Sequence, residues 1–245
     1  MERVEDQTSR AETAVRPKAS KRKGRSEVVE HKARRPTQDR SVKRFNAILS
    51  ATEELLQTSN IEDISLLDVA RQAGVSPPSV HYFFPTMAAL QIELSRIYNK
   101  QATDPVLDVQ GRLAAMKNPT WQEWIRLMAH LSCKAFNDNR HICETIFGAA
   151  LHRESRLVMM AANDLIGRSM LENLKQVFLV PEIPNLDQKF AFTCEIVDAL
   201  WARAYLRHGV IDEATVEETV RIQIAYLRSF LPETLPLGAH ESAPT

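Results

Sequence analysis

Two groups of side chains in this sequence have the chemistry to bind another molecule. In the first group, His130 and Cys133 lie three residues apart, and His141 and Cys143 follow a short distance along the chain. Imidazole nitrogen and thiolate sulfur are common zinc ligands. The spacing matches no common zinc pattern, however, and cysteine is often buried as a small apolar residue. The sequence therefore leaves metal binding by these four residues open, and it predicts no cofactor.

The second group lies in residues 76–84, which read SPPSVHYFF. Two consecutive prolines usually interrupt regular structure, but the first positions of a helix accept them because their N–H groups have no intrahelical partner. Ser76 can cap such a helix. Pro85 ends it near Phe84, because proline disfavours helical geometry in the residue before it. The stretch is therefore predicted to be a short helix that begins at its prolines.

The residues before this stretch predict two more helices. From residue 37, apolar side chains recur at three- and four-residue steps, which gives one face of a helix that ends near residue 58. Ser65 and Asp68 then form a helix-start pattern, and Gly74 stops the second helix. Two short helices joined by a turn that contains glycine make a helix-turn-helix, whose second helix lies in the major groove of DNA.

The two faces of that second helix differ in chemistry. The face predicted to pack against the first two helices consists of Val80, Phe83 and Phe84. On the other face, Ser79 and His81 can hydrogen-bond to a base or a phosphate, while proline rings can contact thymine methyl groups. Backbone N–H groups at helix starts can also face phosphate. The predicted DNA-contact residues are Arg34, Arg35, Arg44, Ser65, Pro77, Pro78, Ser79, His81, Tyr82 and Thr86.

Charge is unevenly distributed along the chain, although the formal net charge is zero. Residues 1–45 hold 14 Lys and Arg against 7 Asp and Glu, whereas residues 46–245 hold 17 against 24. A local excess of cations attracts polyanions, because binding releases the counterions condensed on phosphate. Residues 1–36 have no helical or strand periodicity and are predicted to form a flexible basic arm. A solvated tail without a partner is the alternative.

The rest of the chain predicts more helices and contains no convincing alternating strand pattern, so the predicted fold class is all-α. One helix is expected to begin at Thr86, and further predicted spans are 119–138, 141–150, 154–179, 187–208 and 212–231. The span 187–208 is apolar nearly all round and should therefore be buried on every side, and 212–231 has two apolar faces. A homodimer interface through these two spans would cover them. The alternative is that residues 100–180 fold over both.

Composition and missing motifs argue against several classes of protein. An apolar content of 44% and a charged content of 25% are ordinary for a soluble globular protein. No apolar run approaches the roughly 18 to 20 residues that span a bilayer, and no signal-peptide pattern is present. Three cysteines without close pairing suit a reducing compartment, so a cytoplasmic protein with no membrane partner is predicted. We find no catalytic motif and predict no enzyme activity.

Residues 64–90, ISLLDVARQAGVSPPSVHYFFPTMAAL, resemble the DNA-binding domain of the TetR family of bacterial transcriptional regulators. The features typical of that family fall on Ser65, Val69, Ala70, Ala73, Gly74, Val75, Ser76, Tyr82, Phe83, Phe84, Thr86 and Leu90. The sequence departs from the family at Pro78, where Gly is usual, at His81, where Tyr is usual, and at Met87, where Lys is usual. Losing that lysine removes a charge-assisted phosphate contact, for which basic residues before and within the first helix could compensate.

The resemblance implies two domains. A three-helix helix-turn-helix DNA-binding domain is expected at residues 37–85, followed by a helical ligand-binding and dimerisation domain at 86–232 and a flexible tail at 233–245. It also implies a ligand-responsive regulator, a homodimeric repressor that binds a palindromic operator in double-stranded DNA and is released by a small apolar or aromatic effector. The alternatives are a helical metal-binding enzyme and a non-catalytic dimeric adaptor. Candidate effector-lining residues are Trp121, Trp124, Met128, Phe147, Met160, Asn163 and Trp201.

Overall fold

A computed structural model describes residues 32–101, 113, 116–148 and 153–238. Over these residues the fold is all-α, as predicted. The helices are α1 (Asp39–Leu56), α2 (Leu66–Gln72), α3 (Pro77–Phe83), α4 (Met87–Gln101), α5 (Trp121–Asn137), α6 (Arg140–Phe147), α7 (Arg153–Val177), α8 (Leu186–His208) and α9 (Glu213–Leu227), with a short 3₁₀ helix at Ile61–Asp63. Residues 1–31 of the predicted arm and residues 239–245 of the predicted tail lie outside the described residues.

Helix ends are set by local hydrogen bonds that the sequence encodes. The Thr120 side chain accepts from the backbone of Glu123, whose carboxylate accepts from Thr120 in return, and this capping box begins α5. The Asp212 carboxylate caps α9 by accepting from the Thr215 backbone. Gly209, at φ 72°, closes α8 in the left-handed conformation that glycine adopts without strain. The predicted helix spans are therefore close to the observed ones.

The first three helices form one apolar core with part of the larger helical region. Ile48 and Leu56 of α1, Val69 of α2 and Val80 of α3 are buried in it. Helix α4 begins beside α3 and continues along α6 and α7. The core is continuous from the helix-turn-helix to Trp201 of α8, so the two predicted domains share packed side chains.

The larger helical region is built around α8, which packs on α7, α9 and α6. Helices α7 and α8 approach most closely at Gly167 of α7, where an added Cβ would lie 2.5 Å from the backbone nitrogen of Ala191. Helix α5 packs on α9. A second apolar core joins α5, α7, α8 and the C-terminal turn, with Trp124, Leu174 and Phe190 fully buried.

In a single chain, α8 is not buried on every side. Phe192 and Leu206 are each 56% exposed, although they belong to the apolar pattern of that helix. On α9, one predicted face is buried through Val216 and Val220, while Tyr226 on the other face is half-buried against Phe230. Helices α5 and α7 therefore cover α8 and α9 only in part.

Both predicted flexible ends contain ordered residues. At the start, Ala33 is buried and the Arg34 N–H donates to the carbonyl of Phe83, so residues 32–36 lie against α3. At the other end, Leu235 is buried, and Phe178 and Leu237 form an isolated antiparallel bridge. The predicted arm therefore extends too far towards α1, and the predicted tail begins too early, because backbone hydrogen bonds hold both segments. Among the described helices, none is long and apolar enough to cross a membrane.

Candidate functional site

The helix-turn-helix geometry depends on a capping box and a glycine. The Ser65 side chain accepts from the Asp68 backbone N–H at 3.2 Å, and the Ser65 N–H donates to the Asp68 carboxylate at 3.1 Å. These bonds to Ser65, with Arg71 nearby, hold the pKa of Asp68 below its usual range. Gly74 then adopts φ 63°, which lets the chain turn from α2 into α3.

The inner face of α3 is anchored by aromatic packing on α1. Val80, Phe83 and Phe84 are almost fully buried, as predicted. Phe45 of α1 stacks on Phe84 with ring centroids 4.9 Å apart and meets the edge of Phe83 at 5.7 Å. Such aromatic pairs stabilise the packing beyond the burial of apolar surface, and they fix the orientation of α3 on α1.

The outer face of α3 carries the predicted base-contact residues. Pro77, Pro78, His81 and Tyr82 are exposed, and Ser79 is half-buried. The guanidinium of Arg34 lies 5.8 Å from the centroid of the Tyr82 ring, so two predicted contact residues are neighbours. Within the part of the chain that the structure describes, these side chains form one continuous outward surface beside the turn.

One predicted capping interaction of α3 is absent. Ser76 occupies the N-cap position, but its side chain accepts no capping hydrogen bond. The two proline nitrogens have no hydrogen to donate, and the Ser79 N–H is bound to the Ser76 carbonyl at 2.8 Å. The fixed φ of the prolines, rather than a side-chain cap, therefore begins this helix.

Two predicted phosphate-contact groups are already bonded within the protein. The backbone N–H of Ser65 donates to Asp68, and this negative carboxylate beside it disfavours an approaching phosphate. The prediction of an outward N–H at Ser65 is therefore wrong. The Thr86 hydroxyl accepts from the backbone of Ala89 at 3.1 Å and caps the start of α4. Arg44 is half-buried on α1 and remains a predicted contact.

Arg35 has a structural partner that the sequence analysis missed. Its guanidinium makes two hydrogen bonds to the Glu93 carboxylate of α4, Nε to Oε1 at 2.9 Å and Nη2 to Oε2 at 3.1 Å. Glu93 is only 4% exposed at its side chain, and Arg96 lies 3.7 Å from it. A paired geometry of this kind is specific and strong. Arg35 therefore fastens the segment before α1 to α4, which corrects its assignment to a flexible arm.

Replacing Arg35 with alanine should lower the free energy of unfolding by about 1 to 2 kcal/mol, because the buried Glu93 carboxylate would keep only its more distant cation. Urea unfolding of the variant and the wild type measures the change. The double variant Arg35→Ala/Glu93→Gln should recover part of the loss, since it removes the unpaired charge. Arg40→Ala, at an exposed position of α1, is the matched control. An Arg35→Ala protein as stable as this control would contradict the structural assignment.

A cavity lies between the helices of the larger region. Its volume is about 130 Å³, counted as the space open to the centre of a water-sized molecule. By the same measure a single water needs only about 10 to 15 Å³. Three predicted ligand-lining residues, Met128, Asn163 and Trp201, do line it. Ile125, Phe136 and Met159 are among the other lining residues. The cavity is therefore mostly apolar with a few polar groups, as ligand sites usually are.

Four predicted lining residues lie elsewhere. Trp121 and Trp124 are buried in the second core, where the Trp121 indole donates to the carbonyl of Pro232 at 3.0 Å. Phe147 packs against Trp201 on the side of the helix-turn-helix core. Met160 is 46% exposed. Periodicity identified these residues as apolar, but it could not separate core positions from cavity walls.

The helix-turn-helix region of this chain is similar in sequence to known proteins. Residues 48–94, which include the second half of α1 and all of α2 and α3, match the family model described as bacterial regulatory proteins of the tetR family. HTH-type transcriptional regulator EthR from Mycobacterium tuberculosis (strain ATCC 25618 / H37Rv) is 38% identical over 55 residues, which is 22% of this chain and 26% of EthR. Residues 48–94 therefore form a DNA-binding region of the TetR type. The chain spans about a quarter of the length of the curated relatives that it matches.

Solved structures share the fold over most of this chain. A TetR-family transcriptional regulator from Streptomyces coelicolor is 19% identical, with a TM-score of 0.57 over 78% of this chain and 98% of that one. FadR of Thermus thermophilus, a TetR-family transcriptional repressor solved in complex with lauroyl-CoA, is 15% identical, with a TM-score of 0.53 over 82% and 98%. At these identities the likeness is one of fold.

Helix α6 joins the cavity region to the helix-turn-helix. The Arg140 guanidinium donates to the carbonyl of Leu56 at 2.6 Å, at the end of α1, and to that of Ser59 at 2.8 Å, just after it. One turn further, the buried carboxylate of Glu144 accepts from the Ile61 backbone at 3.0 Å and from the Tyr205 hydroxyl at 2.6 Å. The side chain of Glu144 therefore connects α8 directly to the segment before α2.

The four candidate metal ligands are not gathered into one group within the described ranges. Each has its own partner: Cys143 Sγ donates to the Phe136 carbonyl at 3.2 Å, and His141 Nδ1 lies 2.8 Å from Gln57 Nε2. Burial raises the pKa of Cys133 to about 11 and that of Cys143 to about 12, so both thiols stay protonated at neutral pH.

His130 lies instead between two carboxylates of α9. Its Nε2 is 2.9 Å from Glu217 and its Nδ1 is 3.7 Å from Glu213. Arg126 also pairs with Glu217, whose pKa it lowers together with His130. Because the carboxylates face opposite nitrogens of one ring and a guanidinium occupies part of the space, the group fits a hydrogen-bonded histidine better than ligands that converge on one ion.

Proposed function

We propose that this protein is a ligand-responsive transcriptional regulator, a repressor that binds a palindromic DNA operator as a homodimer. The observation that carries the proposal is the two-sided character of α3. Its inner face is fixed by Phe45 of α1, while its prolines, His81 and Tyr82 are exposed together on the outer face. A helix held in this way can enter a major groove with its N-terminal residues first.

The contacts that specify sequence are assigned to Ser79 and His81, because these side chains can hydrogen-bond to base edges. The prolines would contact thymine methyl groups. Arg34, Arg44, Tyr82 and Thr86 would position the module on the phosphate backbone, where contacts carry affinity without sequence information. The match of residues 48–94 to the tetR family model supports this assignment.

Dimer formation is assigned to α8 and α9. Phe192 and Leu206 lie about four helical turns apart on one face of α8. Both are largely exposed, which is unusual for large apolar side chains on one helix face. Two-fold association would cover them and would place two copies of α3 for adjacent half-sites. DNA binding by the helix-turn-helix does not by itself require an exposed apolar surface on α8.

The effector is assigned to the cavity between α5, α7 and α8. Trp201 of its wall and Tyr205, one turn further along α8, belong to the same helix, and Tyr205 reaches the helix-turn-helix through Glu144. Helix α4 adds a second connection, since it packs on α6 and α7. Ligand binding that shifted α8 or α6 would change DNA affinity, and DNA would change ligand affinity by the same factor. FadR of Thermus thermophilus, solved with lauroyl-CoA, gives a fold precedent for a small-molecule complex.

Selection of bound sequences from a random duplex pool tests the DNA-binding proposal. The wild type should enrich a palindromic site. His81→Ala and Ser79→Ala should each relax preference at a defined position, by about 5- to 150-fold in relative affinity, the effect of about 1 to 3 kcal/mol for one base contact. Arg207→Ala, an exposed position on α8, is a charge-removing control that should leave the selected site unchanged.

Two outcomes of this selection would count against the proposal. Enrichment of no site by the wild type would remove sequence-specific binding. An unchanged site in both α3 variants would leave the DNA-binding function in place but would show that Ser79 and His81 are not the base-reading residues. Arg44→Ala should weaken binding to all sequences alike, because a phosphate contact does not distinguish bases.

A further inference from the structure

The wall of the cavity contains a carboxylate that the sequence analysis did not single out. Asp198 of α8 lines the cavity together with Trp201, one turn further along the same helix. Its Oδ2 accepts a hydrogen bond from the Asn163 amide of α7 at 2.8 Å. In the part of the chain that the structure describes, no other hydrogen bond to the Asp198 carboxylate is formed, so Oδ1 is available to a molecule in the cavity.

The charge of Asp198 is not matched by a cation in contact with it within the described residues. Arg156, the cation of this region, pairs with Glu195 at 2.7 Å. The Asn163 amide donates to Glu195 as well, at 3.0 Å, and so holds the two carboxylates on neighbouring turns of α8. The guanidinium of Arg156 therefore contacts the Glu195 carboxylate, while the Asp198 carboxylate faces the cavity. A buried charge without a partner is costly, and a bound cation would remove that cost.

The remaining wall suits an organic cation rather than a hydrated ion. Ile125, Met159 and Met170 contribute apolar side chains, and Phe136 and Trp201 contribute aromatic rings. Trp201 is held in place, because its indole N–H donates to the Thr219 hydroxyl at 3.2 Å and its ring meets Phe136 edge-on at 5.7 Å. Aromatic faces attract ammonium groups, most strongly where water is excluded.

We propose that this cavity binds a small organic cation, an amine or quaternary ammonium group on an apolar or aromatic body, with the Asp198 carboxylate as its counter-ion. Asn163 is the positioning residue that orients the carboxylate towards the cavity. The inference rests on the proposed function only in taking the cavity as the effector site. It narrows the predicted apolar or aromatic effector to one that also carries a positive charge.

The ionisation of Asp198 gives the proposal a pH signature. Burial raises its pKa to about 6, and Glu195 adds to this, while the Asn163 hydrogen bond and Arg156 act in the opposite direction. The thiol of Cys194 also lines the cavity, but burial raises its pKa to about 12, so it stays neutral. The Asp198 carboxylate is therefore mostly ionised above pH 6, and cation binding should weaken as the pH falls through 6.

The test uses an isosteric pair of probes that differ in charge. Benzyltrimethylammonium carries a quaternary nitrogen where neopentylbenzene carries a carbon, and their binding to the full chain can be measured by competition calorimetry or fluorescence at pH 5 to 8. The wild type should bind the cation at least about tenfold more tightly than the hydrocarbon at pH 7.5. Asp198→Asn should lose about tenfold or more of the affinity for the cation, with the affinity for the hydrocarbon within about twofold of wild type.

Asp164→Asn is the matched control, because Asp164 is exposed on α7 beside Asn163 and does not line the cavity. It should bind both probes as the wild type does. Equal affinities for the two probes, or unchanged cation binding by Asp198→Asn, would overturn the inference. So would wild-type affinity for the cation that rises as the pH falls through 6, because protonation of Asp198 should remove the counter-ion and weaken binding. This pH profile needs no variant and decides the question even if Asp198→Asn does not fold.

Duplex selection on the same protein preparations separates this inference from the proposed function. A chain that selects a defined operator but does not prefer the cation retains the regulator function and loses the inference. A chain that prefers the cation through Asp198 but selects no operator supports the inference at this cavity and contradicts the DNA-binding proposal.

Discussion

Replacing Glu144 with alanine is expected to lower the free energy of unfolding by about 3 to 5 kcal/mol. The Glu144 carboxylate is buried and accepts hydrogen bonds from the Tyr205 hydroxyl and the Ile61 backbone, and Arg140 lies 3.3 Å from it. Its removal leaves two buried donors without an acceptor. These groups belong to α8 and to the segment before α2, so the contact between the helix-turn-helix and the larger region should weaken first.

Denaturant unfolding measures this change, and two further variants make it specific. Tyr205→Phe removes only the hydroxyl, so a smaller loss of about 1 kcal/mol is expected. Glu172→Ala removes a carboxylate that is mostly exposed and pairs with Lys175 on the same helix, and it should change stability by less than about 0.5 kcal/mol. A Glu144→Ala protein as stable as the Glu172→Ala control would show that the buried bonds of Glu144 contribute little.

Replacing Gly167 with alanine should destabilise the protein by about 3 kcal/mol or more, although alanine is the better helix former by about 1 kcal/mol. The new Cβ would lie 2.5 Å from the backbone nitrogen of Ala191 and 2.7 Å from the carbonyl oxygen of Asp187. Backbone atoms cannot move aside as a flexible side chain can, so α7 and α8 would have to separate. Their separation would also open the cavity wall that Asn163 and Asp198 form.

Thermal and denaturant unfolding of Gly167→Ala measure the loss, with Gly238→Ala as the control. At Gly238 the nearest atom to an added Cβ is the carbonyl oxygen of Val177 at 3.6 Å, an ordinary contact distance. That variant should stay within about 0.5 kcal/mol of the wild type. A stabilised Gly167→Ala protein, with helix propensity as the dominant effect, would mean that the two helices are not packed as closely as described.

The elements of this fold could be predicted from sequence because their signals are local. The capping pattern of Ser65 and Asp68, the helix stop at Gly74 and the prolines that begin α3 each act within a few residues, and all three predictions are confirmed. The inward face of α3 was also predictable, since apolar residues at helical spacing are usually core. Family resemblance added the order of the domains.

The missed features depend on residues that are distant in sequence. Arg35 and Glu93 are 58 positions apart, so charge counting assigned the arginine to a polyanion rather than to an internal carboxylate. Asp198 is missing from the predicted site because the prediction for this helix rests on its apolar residues alone. Carboxylates within an apolar stretch, as Glu195 and Asp198 are here, are themselves a signal, since burial of a charge requires a partner. Trp124 and Trp201 have the same residue type, and only the three-dimensional packing separates core from cavity wall.

The prolines at the start of α3 affect the thermodynamics of groove recognition. A helix tip usually brings backbone N–H groups to its target, but Pro77 and Pro78 have none, and the N–H of Ser79 is bound to the Ser76 carbonyl. The exposed tip is therefore largely hydrocarbon, and a matching groove would remove it from water. Removal of apolar surface from water makes the heat capacity change of binding negative. Binding to the operator should accordingly have a more negative heat capacity change than binding to unrelated duplexes, where contacts to phosphate dominate.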